Sequence, residues 1–198
     1  MILAAQRLCA SLALAFTTWI LVSPATARAG QQPILLENLA GQKVNPYLPE
    51  SAKAIVFIFV SVECPVCNAY APELQRLKTE FETNGIILKL VYPNGDETSE
   101  AICRHAKDFK LDIEQLRDPT HALVKYTAAR VTPEAAVYVP KRGFVYCGRI
   151  DNRFAKLGVA RAQITEHDLR DVLSDVLGGK PLKPKQTRGV GCAIPDVR

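Results

Sequence analysis

Ser61-Val62-Glu63-Cys64-Pro65-Val66-Cys67-Asn68-Ala69-Tyr70-Ala71-Pro72 is the stretch that decides how this chain is read. Upstream lies the apolar run Ala54-Ile55-Val56-Phe57-Ile58-Phe59-Val60, rich in β-branched and aromatic residues, which predicts a buried strand. Downstream, Tyr70, Leu74, Leu77 and Phe81 recur at steps of three and four, the period of an amphipathic helix. A Cys-x-x-Cys therefore falls where a central strand ends and a helix begins. A free thiol has a pKa of about 8.5, so a thiolate near neutral pH needs help. A helix N-terminus supplies it through unpaired N–H groups and the positive end of the dipole. Cys64 is the candidate attacking sulfur, and Cys67, one turn on, can reach back and close a disulfide.

Two blander readings stand beside this one. Half of a zinc site would need two more ligands. His105, His121 and His167 are isolated and no second Cys-x-x-Cys follows, so no metal is assigned. A structural disulfide is the other reading, but such a bridge seldom needs a strand–helix junction.

Further along, Asn84-Gly85 reads as a helix stop. Ile86-Ile87-Leu88-Lys89-Leu90-Val91-Tyr92 is a second core strand and Pro93-Asn94-Gly95-Asp96 a loop at its end. Ser99 is the candidate cap of a helix to about Lys110, with Ile102, Ala106 and Phe109 as its apolar face. Arg117-Asp118-Pro119 reads as a turn and Ala122 to Ala129 as a second helical piece. Ala135 to Val139 and Phe144 to Ile150 read as a strand pair around Lys141-Arg142-Gly143. Thr165-Glu166-His167-Asp168 has the form of a capping box. It opens a helix with Ile164, Leu169, Val172, Leu173, Val176 and Leu177 as core face, stopped by Gly178-Gly179, and leaves His167 solvated.

These residues together resemble the thioredoxin-like superfamily, in particular the redoxin branch related to the alkyl hydroperoxide reductase/thiol-specific antioxidant proteins. Pro72, five residues after Cys67, stands where that family kinks its first helix. Arg130-Val131-Thr132-Pro133 before a strand resembles the cis-proline loop that faces the cysteines. The resemblance covers about residues 33–179 and implies an α/β fold, a three-layer sandwich with a central mixed sheet and helices on both faces. The reading orders the elements strand, helix, strand, helix, strand, strand, helix, with the first three strands parallel and the hairpin antiparallel at the edge. In a cis bond, Pro133 would lift the backbone of Thr132 toward the sulfurs and offer its N–H and C=O to an extended substrate. Two positions depart from thioredoxin itself. Ile58 stands where a buried acid serves the second cysteine, and Glu63 stands beside Cys64, where its charge should disfavour the thiolate.

Residues 1–29 carry Arg7, an apolar run from Leu8 to Val22 and Ala27-Arg28-Ala29, the pattern of a cleaved secretory signal. The run is short for an anchor and ends in Ser23-Pro24, so no stable membrane insertion is expected after cleavage. Export to a periplasmic or extracellular space would place the domain, residues 30–179, where disulfides persist. Cleavage at 29 leaves 169 residues, a formal charge of +3 and five of the six cysteines, an odd number. The tail, 180–198, carries a net +4, which leaves the body close to neutral, and nothing in the pattern asks for nucleic acid. Cys103 and Cys147 are either a structural pair, since the resemblance puts the middle helix on the sheet face opposite the first and last, or two buried thiols. Cys192 lies in Arg188-Gly189-Val190-Gly191-Cys192-Ala193-Ile194-Pro195, where a mobile thiol could resolve a mixed disulfide with Cys64, tether a partner, or be incidental.

The chemistry implied is exchange of disulfides with a protein or small thiol, turned over by an upstream redox partner, with no organic cofactor. A peroxiredoxin-like peroxidase is the alternative: Ser61-x-x-Cys64 partly matches its motif, Phe57 replaces its proline, and Arg130 is the candidate arginine. A non-enzymatic Cu(I)-binding module is the third class, although the only methionine is Met1.

Overall fold

A computed structural model of the chain describes residues 34–195. The signal-peptide expectation, with Cys9, lies outside the described residues.

The elements follow from the patterns above. β1 (Leu36–Glu37) and β2 (Lys43–Val44) pair around a turn in which Asn38 Oδ1 accepts the N–H groups of Ala40 and Gln42 at 3.0 and 2.9 Å. β3 (Ala54–Phe59) is buried along its whole length, as an unbroken apolar run requires. α1 (Pro65–Phe81) buries Tyr70, Leu74, Leu77 and Phe81, and the chain turns at Gly85 with φ 88°. β4 (Ile86–Tyr92) has the predicted bounds. α2 (Ser99–Asp108) is capped one residue earlier than expected, by the Thr98 hydroxyl accepting from Ala101 N–H at 3.2 Å.

β5 (Glu114–Arg117) is a strand the sequence reading lacked. α3 (Ala122–Thr127), β6 (Val131–Thr132), β7 (Glu134–Val139) and β8 (Gly143–Gly148) follow, then a small hairpin, β9 (Phe154–Lys156) with β10 (Val159–Ala160). α4 (Asp168–Leu177) buries Leu169 and Leu173, and the tail adds β11 (Lys185–Gln186) and β12 (Cys192–Ala193). The capping box does not form. Thr165 Oγ1 accepts from Asn152 Nδ2 at 2.7 Å, and Asp168 is held by Arg149 and Lys185. His167 is exposed, as expected.

The main sheet is mixed and eight-stranded, in the order β11-β8-β7-β3-β4-β5-β1-β2. β3, β4 and β5 are parallel neighbours, and β7 runs antiparallel to both β3 and β8. The expected parallel pairing of the third strand is therefore wrong. β5 is the third parallel strand, and the chain returns across the sheet before β7. Right-handed crossovers that step the same way, β3 to β4 to β5, put both connecting helices on one face. Ile102 and Ala106 of α2 accordingly share a core with α1 and α4, while Leu123 and Val124 of α3 pack on the other face with Phe57 and Cys147. The three-layer α/β sandwich stands, with α2 on the face opposite to the one expected.

That placement corrects the Cys103–Cys147 pairing. Cys103 is exposed on α2, Cys147 is buried in the other core, the sheet separates them, and both are free thiols. Burial pushes the Cys147 thiol up to about 12, so it behaves as a small hydrophobe.

Candidate functional site

Cys64 is the N-cap of α1, with Pro65 in the first turn, where its missing N–H costs nothing. The loop before it is pinned from across the sheet end. Glu97, 7% exposed, accepts the Ser61 hydroxyl at 2.6 Å and Val62 N–H at 2.9 Å through Oε1, while its Oε2 is buried without a partner. The sequence reading missed Glu97. Its only signal was a carboxylate just past the loop at the C-terminal end of β4, where ligand-facing residues of α/β sheets gather.

The opposite wall is the loop of β6. The Thr132–Pro133 bond is cis. Cys64 Sγ lies 3.1 Å from the Thr132 carbonyl oxygen, to which it donates only while protonated. Thr132 is 2% exposed, and its hydroxyl faces both sulfurs. The structure thus brings Cys64, Cys67, Thr132 and Pro133 together. Cys103 and Cys147 lie elsewhere. Arg130 is exposed, and its main chain rather than its guanidinium serves the loop, its N–H donating to Glu134 Oε2 at 2.8 Å.

The two sulfurs differ in acidity. Cys67 S–H donates to Cys64 and is the largest influence lowering the Cys64 pKa to about 4, against burial; the Cys192 thiol, Cys67 N–H and the Thr132 hydroxyl add to it. Burial is the largest influence on Cys67 and holds it well above the ordinary thiol range, followed by its donation to Cys64 and that residue's negative charge. Glu63 is exposed beside Cys64, where solvent screens its charge, and the Cys64 pKa is lowered all the same. Among the described residues no group of three or more His, Cys, Asp or Glu side chains is placed to hold a metal ion.

Cys192 is the site residue whose position the sequence least foresaw. The tail is strand rather than loose chain here: Cys192 stands opposite Thr132 and Ala193 opposite Val131 in an antiparallel pair. The Cys192 thiol faces Cys64, and burial first, then that neighbour, push its own pKa up to about 11.

A paired cysteine at a strand–helix junction facing a cis-proline loop is the arrangement of a thioredoxin-like redoxin. The chain belongs to the AhpC/TSA family, whose model matches residues 32–146. A hypothetical protein from Sinorhizobium meliloti 1021 is 24% identical, with a TM-score of 0.69 over 81% of this chain and 89% of that one. An uncharacterized conserved protein from Geobacillus kaustophilus is 25% identical, with a TM-score of 0.70 over 82% of this chain and 88% of that one. A secreted Mycobacterium tuberculosis disulfide oxidoreductase homologous to E. coli DsbE shares the fold at 16% identity, with a TM-score of 0.50 over 74% of this chain and 96% of that one. No curated protein matches the chain.

Proposed function

We propose that this protein is an exported thiol–disulfide oxidoreductase whose redox pair is Cys64 and Cys67. The observation that carries the reading is the unequal pair of thiols beside Thr132 and Pro133, one acidic and one not. Cys64 thiolate attacks one sulfur of a substrate disulfide, forms a mixed disulfide and releases the other sulfur as thiolate. Cys67 then gives up its proton and attacks Cys64 Sγ. The second substrate thiol leaves and the Cys64–Cys67 disulfide remains, to be reduced by an upstream dithiol. Two of the influences that keep Cys67 protonated are its bond to Cys64 and the charge there. Both vanish once that sulfur is in a mixed disulfide, so Cys67 becomes more acidic at the step that uses it.

The peroxidase alternative needs a hydroxyl and a guanidinium at the sulfur. Here the Ser61 hydroxyl is committed to Glu97, and Arg130 is exposed. Export rests on the pattern of residues 1–29, and the secreted oxidoreductase of the same fold accords with it. Reduction of insulin disulfides by the purified protein, supplied with a dithiol, tests the activity. Wild type should turn over, Cys64→Ser should fall to background, and equal rates in the two would refute the assignment.

A further inference from the structure

The segment after α4 has no part in the exchange just described, yet it is built into the site. β11 lies parallel on β8, with Lys185 opposite Tyr146 and Gln186 opposite Cys147. Thr187 locks that edge: its N–H donates to Cys147 O at 3.1 Å, its hydroxyl meets Tyr146 OH at 2.7 Å and accepts Arg149 N–H at 3.1 Å. Gly148 makes room for it, since a Cβ there would fall 2.1 Å from Thr187 Oγ1. The chain then crosses the cis-proline loop. A Cβ at Gly191 would sit 2.0 Å from Thr132 O, so only glycine allows this approach. Beyond Cys192, Ile194 N–H donates to Arg130 O at 3.0 Å, and the Ile194 side chain, 5% exposed, enters the α3-side core. Cys192 is therefore fixed from both sides, and its thiol faces Cys64. A strand that served packing alone would need the glycines and Ile194 but no thiol at 192.

We propose that β12 is an internal substrate of the redox centre: it fills the main-chain edge of Thr132 where an extended peptide would add, and Cys192 exchanges with Cys67 as the disulfide partner of Cys64. The inference rests on the Cys64–Cys67 reading above. Starting from the Cys64–Cys67 disulfide, Cys192 sulfur attacks Cys64 Sγ, the Cys64–Cys67 bond breaks, and the proton lost by Cys192 ends on Cys67. The product is a Cys64–Cys192 disulfide and a Cys67 thiol, with no net oxidation. In a mixed disulfide with an outside thiol, the same attack releases that thiol and leaves the same tail disulfide. Tethering holds Cys192 at a high effective concentration, so an outside substrate must displace the strand before it reaches Cys64, which is 1% exposed under it.

The test takes the purified reduced Cys67→Ser variant, treats it with oxidised glutathione, quenches in acid, alkylates and maps peptides without reduction. The expected result is Cys64 joined to Cys192 in most molecules. In the same background Gly191→Ala, which keeps the thiol but forces the strand off Thr132, should slow that link at least tenfold. Cys64 accumulating as its glutathione adduct with Cys192 alkylated would overturn the proposal. So would equal rates with and without Gly191→Ala. Insulin reduction by wild type, run alongside, separates the two claims. If insulin is reduced and the tail link is absent, only the internal substrate falls. If Cys64 takes up neither glutathione nor Cys192 and insulin is untouched, the redox pair falls too.

Discussion

The sulfur of Cys64 lies 3.1 Å from the carbonyl oxygen of Thr132, 68 residues further along the chain. That contact joins the start of α1, where Cys64 is the N-cap, to the cis-proline loop, whose edge is paired with β12. The parallel strands β3 and β4 set the first, and the antiparallel return of β7 beside β3 sets the second.

The acidity of Cys64 has a pH signature. Its pKa is lowered to about 4 chiefly by the Cys67 S–H, so the reduced protein should keep thiolate absorbance near 240 nm from neutral pH down to about 4. The sign for stability follows. A thiol depressed in the folded state stabilises it fully above the ordinary thiol pKa, and that contribution is lost as pH falls through the folded value. The urea midpoint of reduced wild type, relative to Cys64→Ala, should therefore rise between about pH 4 and pH 9.

Removing a donor to that sulfur should weaken it. Cys192→Ala deletes one thiol hydrogen bond to Cys64. The midpoint of the thiolate titration should rise by about one pH unit, the worth of one charge-assisted hydrogen bond. An unchanged midpoint would mean that the two sulfurs do not touch in solution.

Glu97→Ala should loosen the approach to Cys64. It strips the acceptor from the Ser61 hydroxyl and from Val62 N–H, and a part-buried donor left unsatisfied costs about 1–3 kcal/mol. Urea denaturation should show the loss, and insulin reduction should slow because the loop no longer fixes the helix start.

Asp118→Ala should destabilise the fold by about 2 kcal/mol, the scale of a lost helix cap. Asp118 is 1% exposed and accepts the N–H groups of Ala122, Leu123 and Val124 at 2.8, 2.9 and 3.0 Å, closing the start of α3. None of these bonds reaches a sulfur, so insulin reduction by the folded fraction should match wild type.

What could be read beforehand was whatever a single period or a local motif encodes. β4 keeps its predicted bounds because it is seven residues with only Lys89 polar, and Lys89 is paired with Glu114 across the strands at 3.0 Å. The same Glu114 opens β5, whose Glu-Gln-Leu-Arg buries only Leu116 fully and carries no strand signal. The resemblance put α2 on the other face, beside Cys147; with β5 in the sheet α2 lies on the α1 face, and the sheet stands between Cys103 and Cys147. The tail was opaque for a different reason. Val190, Gly191 and Cys192 have no period of their own, and their order comes from the edge of Thr132, which no local pattern records.

The central claim is that Cys64 carries a covalent bond to an outside molecule and that a second sulfur releases it. The most direct measurement traps that bond in the Cys67→Ser, Cys192→Ser double variant, where neither candidate resolving thiol remains. Incubated with an oxidised protein disulfide and mapped by mass spectrometry, it should accumulate a stable mixed disulfide through Cys64, which either thiol restored alone should discharge. A double variant that forms no adduct, or forms it through Cys103 instead, would contradict the account.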